Sequence, residues 1–204
     1  MHREILNADQ VALLPLISTF KKEFYMVGGT AIALHVGHRQ SIDFDLFKPS
    51  RLNRKKIVDC IKSFTNDYQI TRNVEEQLNL IIKNVKFTFY EYPFPIHAKT
   101  NFDNIIKLPD LLTLAAMKAY ALGRRSKWKD YVDLYVIIKD HFSIGEISNA
   151  AGIIFQDMFS EKLFRVQLSY FDDIDFSETI EFIGEGVSEL QVKNLLIQKA
   201  SEIF

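Results

Sequence analysis

The sequence predicts an α+β fold: a mixed sheet flanked by helices in the first half and a helical region in the second. Three observations carry that expectation. Apolar and polar residues alternate through Ser41–Phe47, Gln77–Ile82 and Val85–Tyr92, the period of half-buried strands. Helically spaced apolar residues behind capping signals lie between those runs and after them. From Leu108-Pro109 onward only the helical pattern persists, so the chain reads as an α/β region over 1–107 and a helical region over 108–204.

Each element has a local reason. Asn7 with Gln10 three residues later forms a capping-box pattern, and Val11, Leu13, Leu14, Ile17 and Phe20 extend it into a helix near 8–22. Phe24–Val27 is a short apolar strand that ends in a Gly28-Gly29 turn, and Thr30–Val36 is a helix stopped by Gly37. Ser41–Phe47 is the next strand. Asn53 caps a helix over 54–65, and Tyr68–Arg72 is extended. Lys83-Asn84 is the hairpin turn between two alternating strands, and Pro93 and Pro95 end the sheet-forming part. Pro109 suits the first position of a helix that runs through Lys118 to Gly123. Ser126 caps a second helix to about Asp140, Ser143 with Glu146 caps a third near 144–158, and a last one runs from Ser188 to the end.

Composition narrows the function classes. Of 204 residues 48% are hydrophobic and 25% charged, which describes a globular chain and not a disordered one, and 17 Phe imply a well-filled interior. The single cysteine, Cys60, excludes an internal disulfide framework and suits a reducing compartment. No apolar run approaches the roughly 18–20 residues that span a bilayer, and the start lacks a signal-peptide core, so a cytoplasmic protein without membrane contact is expected. The net charge of −1 hides an asymmetry. Between Asp157 and Glu189 nine acids face two bases, a local −7, which leaves +6 for the remainder. That distribution excludes a uniformly basic surface, but it allows an anionic ligand on the first part and a basic partner on the second.

The chemistry concentrates in Val27-Gly28-Gly29-Thr30 and His38-Arg39-Gln40-Ser41-Ile42-Asp43-Phe44-Asp45. On a strand, Asp43 and Asp45 would share one face with Cα atoms about 7 Å apart, converging on one point in front of the sheet. Two carboxylates so placed repel unless a divalent cation lies between them, and Mg²⁺ takes one or two carboxylates plus water and phosphate oxygens. Glycines where a strand meets a helix let the backbone approach a ligand and aim N–H groups at an anion. Gly-Gly alone is most often a turn, and Asp-x-Asp alone a solvated strand face. Their combination in this order reads as a nucleoside triphosphate site.

The string GGTAIALHVGHRQSIDFDLF resembles the signature of the AbiEii-type nucleotidyltransferases, toxins of bacterial toxin–antitoxin and phage-defence systems within the DNA polymerase β-like nucleotidyltransferase superfamily. The resemblance continues through Lys118 into Lys129-Asp130-Tyr131-Val132-Asp133-Leu134, a basic–Asp–x–x–Asp–Leu motif. It covers about residues 24–140, and over 145–204 only a helical tail is recognised. It implies that Gly28, Gly29 and Thr30 bind nucleotide phosphates and that Asp43 and Asp45 ligate Mg²⁺ or Mn²⁺. It further implies that Lys118 contacts the triphosphate, that Asp130 is the acid of the last motif, and that Arg39 belongs to the phosphate side. The implied activity is transfer of a nucleoside monophosphate from an NTP to a hydroxyl of RNA, such as a tRNA end, or of protein, with a cognate antitoxin as partner. Lys118 on a solvated helix face, and an Asp130–Asp133 pair that merely orients Arg124 or Lys129, are the structural alternatives.

One departure bears on the mechanism. Catalytic members of the superfamily usually carry a third carboxylate on a neighbouring strand, and at the corresponding position of Val85–Glu91 stands Thr88. This favours, as the alternative, a catalytically degenerate nucleotide- or RNA-binding module on the same fold; a metal-dependent nuclease is a third reading. Trp128, set among Arg124, Arg125, Lys127 and Lys129, is either a solvated helix start or a basic–aromatic patch for a base or a nucleic-acid backbone.

Overall fold

The computed structural model describes residues 1–122 and 124–202, and the chain divides into two compact units, Met1–Asp110 and Leu111–Phe204. The first unit contains α1 (Ala8–Thr19), β1 (Tyr25–Val27), α2 (Gly28–Val36), β2 (Phe44–Lys48), α3 (Arg54–Phe64), β3 (Gln69–Asn73), β4 (Gln77–Ile82), β5 (Val85–Glu91), β6 (Ala98–Phe102) and β7 (Ile106–Pro109). Its seven strands form one sheet in the order β3-β4-β5-β2-β1-β7-β6. The β2–β5 and β1–β7 pairs are parallel and the other neighbours antiparallel, so the sheet is mixed and the fold is α+β.

Alternation along the central strands decides which residues leave water. Phe44 and Leu46 of β2, Phe87 and Phe89 of β5, and Leu78 and Leu80 of β4 are all fully buried. Phe20, Phe24 and Phe89 meet edge-to-face with centroids 4.9–6.0 Å apart, which spends part of the phenylalanine content on one aromatic cluster. Between the buried positions of β2 stand Asp45 and Phe47, both half-buried. The Asn7 capping box on α1 forms with Gln10, Asn53 caps α3, and Lys83 and Asn84 both adopt positive φ, +48° and +64°, as the hairpin turn requires.

Four expectations for this unit are corrected. Gly28 and Gly29 are the first residues of α2 and not a turn ahead of it. The strand expected over Ser41–Phe47 begins only at Phe44, because side chains take the acceptors of the preceding loop: Gln10 Nε2 donates to the Ser41 carbonyl at 2.7 Å, and the Thr30 hydroxyl faces the Ser41 and Asp43 carbonyls. Pro93 and Pro95 do not end the sheet. A second hairpin, β6–β7, follows them and turns at Asp103-Asn104, again with positive φ. Pro109 closes β7 and opens no helix; its carbonyl accepts from His35 Nε2 at 3.0 Å, and burial depresses the imidazole pKa, which favours the neutral ring.

The second unit is helical: α4 (Leu111–Leu122), α5 (Trp128–Asp140), α6 (Ile144–Phe155), α7 (Glu161–Leu168) and α8 (Glu189–Ser201). Capping boxes at Ser143/Glu146 and Ser188/Gln191 start α6 and α8, and a 3₁₀ turn, Gln156–Met158, completes the length expected of α6. Helix α7 was not expected; Ser160 caps it and it buries only Phe164 and Leu168. Ser126 does not cap α5, which starts at Trp128 behind Lys127, and its hydroxyl donates to Asp173 Oδ2 at 3.1 Å. The helix end expected at Gly123 lies outside the described residues. No described helix is long and apolar enough to cross a membrane.

Gln10 is fully buried and serves two elements at once, donating to Ser41 while its Oε1 accepts from Asn7 N–H at 3.1 Å. Gln10→Ala is expected to cost about 2 kcal/mol, since it strips two partners from part-buried backbone groups. Urea denaturation checks this, and a loss below about 0.5 kcal/mol would show that the loop is held by other means.

Candidate active site

The site begins with a register. Antiparallel pairing sets Val27, the residue before α2, opposite Asp45 of β2. Gly28 has φ +76°, a left-handed conformation that side chains rarely adopt, and a Cβ built on it would stand 2.1 Å from Asp45 Oδ2. The Asp45 carboxylate therefore lies directly over the first residue of the helix. At Gly29 a Cβ would meet Arg39 Nη2 at 2.6 Å and Ser41 Oγ at 3.0 Å. Arg39 is 3% exposed, and its Nη1 donates to the Gln40 carbonyl at 2.8 Å.

Two opposite charges thus rest on the N-terminal turn of one helix. Its first amides lack acceptors within the helix, its positive dipole end favours anions, and Val27 supplies no side-chain cap. An arginine at that end reinforces the attraction for an anion, while Asp45 beside it attracts a cation. A metal–polyphosphate complex carries both signs in the matching order.

Thr30 is 1% exposed and its hydroxyl is committed to the Ser41–Asp43 loop. The single hydroxyl proton serves one carbonyl at a time, with Ser41 Oγ 3.0 Å away as a further partner. What Thr30 offers a ligand is its backbone amide. The same bonds position Asp43, which is half-buried one residue ahead of β2. The two aspartates are therefore not two positions of one strand, as the alternation suggested, but one on a loop pinned by Gln10 and Thr30 and one on the strand.

Parallel pairing sets Thr88 of β5 opposite Asp45, and Asn79 of β4 lies next in that row. Glu91 pairs with Lys48, three residues farther along, so no carboxylate stands in register beside Asp45 on β5. Among the described residues no group of three or more His, Cys, Asp or Glu gathers as a metal cage. Asp43 and Asp45 alone fit Mg²⁺ bound through carboxylates together with water and substrate phosphates, and they do not fit an ion held by protein alone.

In the helical unit, Lys118 on α4 is 5% exposed, and its Nζ lies 2.7 Å from Asp130 Oδ1 and 2.9 Å from Asp133 Oδ2 on α5. Arg125 closes the group, its Nε donating to Asp130 Oδ2 at 2.9 Å and its Nη2 to Asp130 Oδ1 at 3.3 Å. Burial opposes charge on Lys118, but Asp130 and Asp133 outweigh it and raise its pKa; burial likewise opposes charge on Asp130, and Lys118 and Arg125 outweigh it to lower that pKa. The partners thereby favour the charged forms of Lys118 and Asp130. Lys118 is not on a solvated face. Arg124 lies over the Tyr120 ring at 3.5 Å, and Lys129 pairs with Glu178. Arg125 was the partner that spacing alone did not single out.

Removing the ammonium leaves two buried carboxylates to share Arg125. Lys118→Met is expected to lose about 3–5 kcal/mol in urea denaturation, and adding Asp133→Asn should recover part of that loss. A variant as stable as the parent would show that the cluster contributes nothing to the fold.

The sequence matches the family model for the nucleotidyl transferase AbiEii toxin of type IV toxin–antitoxin systems over residues 13–181. The uncharacterized protein aq_aa25 of Aquifex aeolicus (strain VF5) is 29% identical over 198 residues, covering 92% of this chain and 94% of its own length. Among solved structures, MenT4, the nucleotidyltransferase toxin Rv2826c of Mycobacterium tuberculosis H37Rv, superposes with a TM-score of 0.61 at 13% identity over 94% of this chain and 81% of that one. JHP933 from Helicobacter pylori superposes with a TM-score of 0.57 at 16% identity, over 97% and 90% respectively. At those identities the likeness to solved structures shows a shared fold. With the family match spanning most of the sequence, the chain belongs to the AbiEii nucleotidyl transferase toxin family.

Proposed function

We propose that the chain is an active toxin that transfers a nucleoside monophosphate from an NTP to a hydroxyl of RNA, a tRNA end being the first candidate, and that a cognate antitoxin restrains it in the cytoplasm. The observation that carries this reading is the seating of the Asp45 carboxylate over Gly28 at the N-terminus of α2, with Arg39 against Gly29. In the reaction the acceptor oxygen attacks the α-phosphorus, the new P–O ester forms as the bond to pyrophosphate breaks, and the hydroxyl proton leaves to solvent. The amides of Gly28, Gly29 and Thr30, with Arg39, hold phosphate oxygens. Asp43 and Asp45 hold Mg²⁺ or Mn²⁺, which when bound neutralises charge on the phosphates. Lys118, kept charged by Asp130 and Asp133, is the proposed further contact to the triphosphate. In-line transfer of this kind needs positioning and charge neutralisation more than covalent chemistry from the protein.

Thr88 beside Asp45 favours a second reading, a nucleotide- or RNA-binding module that has lost its chemistry. Incubating the protein with each labelled NTP, Mg²⁺ and total RNA separates the two. Transfer of label to RNA, reduced at least about 100-fold in Asp45→Asn, is the expected result, because a lost metal site forfeits several kcal/mol of transition-state stabilisation. Label on protein instead moves the acceptor, shortened RNA points to a nuclease, and saturable nucleotide binding without transfer overturns the transferase in favour of the module.

A further inference from the structure

Residues 169–188, between α7 and α8, hold no helix or strand, an unusual length of irregular chain in a compact unit. They carry Asp172, Asp173, Asp175, Glu178, Glu181 and Glu185, the centre of the acidic tail. The segment is not loose. Its acids lie on the basic start of α5: Glu178 binds both Lys127 and Lys129, Asp175 stands 3.6 Å from Lys127, and Asp173 accepts from Ser126. Backbone bonds fix the register, with Asp175 N–H donating to Ser126 O at 2.7 Å and Trp128 N–H to Asp175 O at 3.0 Å. Phe176 stacks on Trp128 with centroids 5.1 Å apart and planes at 30°.

Carboxylates on lysines, alternating with a ring on a tryptophan, repeat the pattern by which a single strand of nucleic acid is held, phosphates on cations and bases on aromatic faces. The contact is also of the exchangeable kind. Phe176 is 46% exposed and the Glu178 side chain 41% exposed, so the ion pairs that join the two backbone bonds and the Trp128 stack in holding the segment are open to solvent and screened by salt. Burial alone would raise the Glu178 pKa, but the bonds from Lys127 and Lys129 outweigh it and hold the carboxyl at about 2.

We infer that Lys127, Trp128 and Lys129 form a binding surface for single-stranded RNA, which the chain's own segment 173–178 occupies until RNA displaces it. The choice of RNA among polyanions rests on the transferase reading; the occupied surface does not. Because binding is measured without NTP, a failure of catalysis leaves the test intact.

The test uses the full chain, a fluorescent 12-nucleotide oligouridylate at low salt, and the emission of Trp128, the single tryptophan of the sequence. Glu178→Gln should bind the oligonucleotide at least about 5-fold more tightly than the parent. Lys127→Gln with Lys129→Gln in the Glu178→Gln background should abolish that gain. In the parent, saturating RNA should shift Trp128 emission as Phe176 leaves, and added salt should reverse the shift. Far-ultraviolet circular dichroism of each variant separates unfolding from changed binding. The inference is overturned by equal affinities of folded parent and Glu178→Gln protein, by a gain that survives loss of both lysines, or by RNA that binds without moving Trp128 emission. Displacement of the segment by an acidic peptide but not by RNA would likewise overturn it and assign the surface to a protein partner.

Discussion

No side chain fits at residue 28. The backbone there is left-handed, and the Asp45 carboxylate occupies the space a Cβ would need. From that constraint the candidate site follows. The β1–β2 register that opposes Val27 to Asp45 brings the acid to the start of α2, and Gly29 admits Arg39 beside it. Gln10 and Thr30 then hold the Ser41–Asp43 loop so that the second aspartate stands just ahead of β2. A side chain at either glycine would displace a charged group, so the glycines set the electrostatics as well as the backbone path.

The helical unit solves a different problem. Four charged groups on and between α4 and α5 lie in or beside an apolar interior, where an isolated charge would be costly. They are tolerated because Lys118 is shared by two carboxylates and Asp130 by two cations. Such a cluster stabilises little compared with an apolar packing of the same volume, yet breaking it is expensive. It fixes the approach of α4 to α5 and keeps Lys118 ionised, with its third N–H not required by either aspartate.

Much of this was legible in the sequence where a local signal and a periodic signal agreed. The Asn7, Asn53, Ser143 and Ser188 caps announced their helices, and the Lys83-Asn84 hairpin stood between two clean alternations. The β6–β7 hairpin was not legible, because Lys99, Thr100 and Asn101 offer no apolar alternation and Asp103-Asn104 turns between short strands. Of the candidate site, the glycines and aspartates were identifiable from their motif, as Lys118 was from its own in the helical unit, and Thr88 was found at the position opposite Asp45. What could not be read were partnerships set by tertiary contact: Thr30 turned to a loop and not to solvent, Gln10 reaching Ser41, and Arg125 completing the Asp130 cluster. The acidic tail was visible as composition, but its seat on Lys127 and Lys129 was not.

The most direct test of the account is a crystal structure of the chain grown with Mn²⁺ and a non-hydrolysable NTP, phased to show the metal by its anomalous signal. The account predicts a Mn²⁺ peak on the carboxylates of Asp43 and Asp45, with phosphate oxygens on the first amides of α2. A nucleotide bound elsewhere, or a metal peak away from both aspartates, would contradict it.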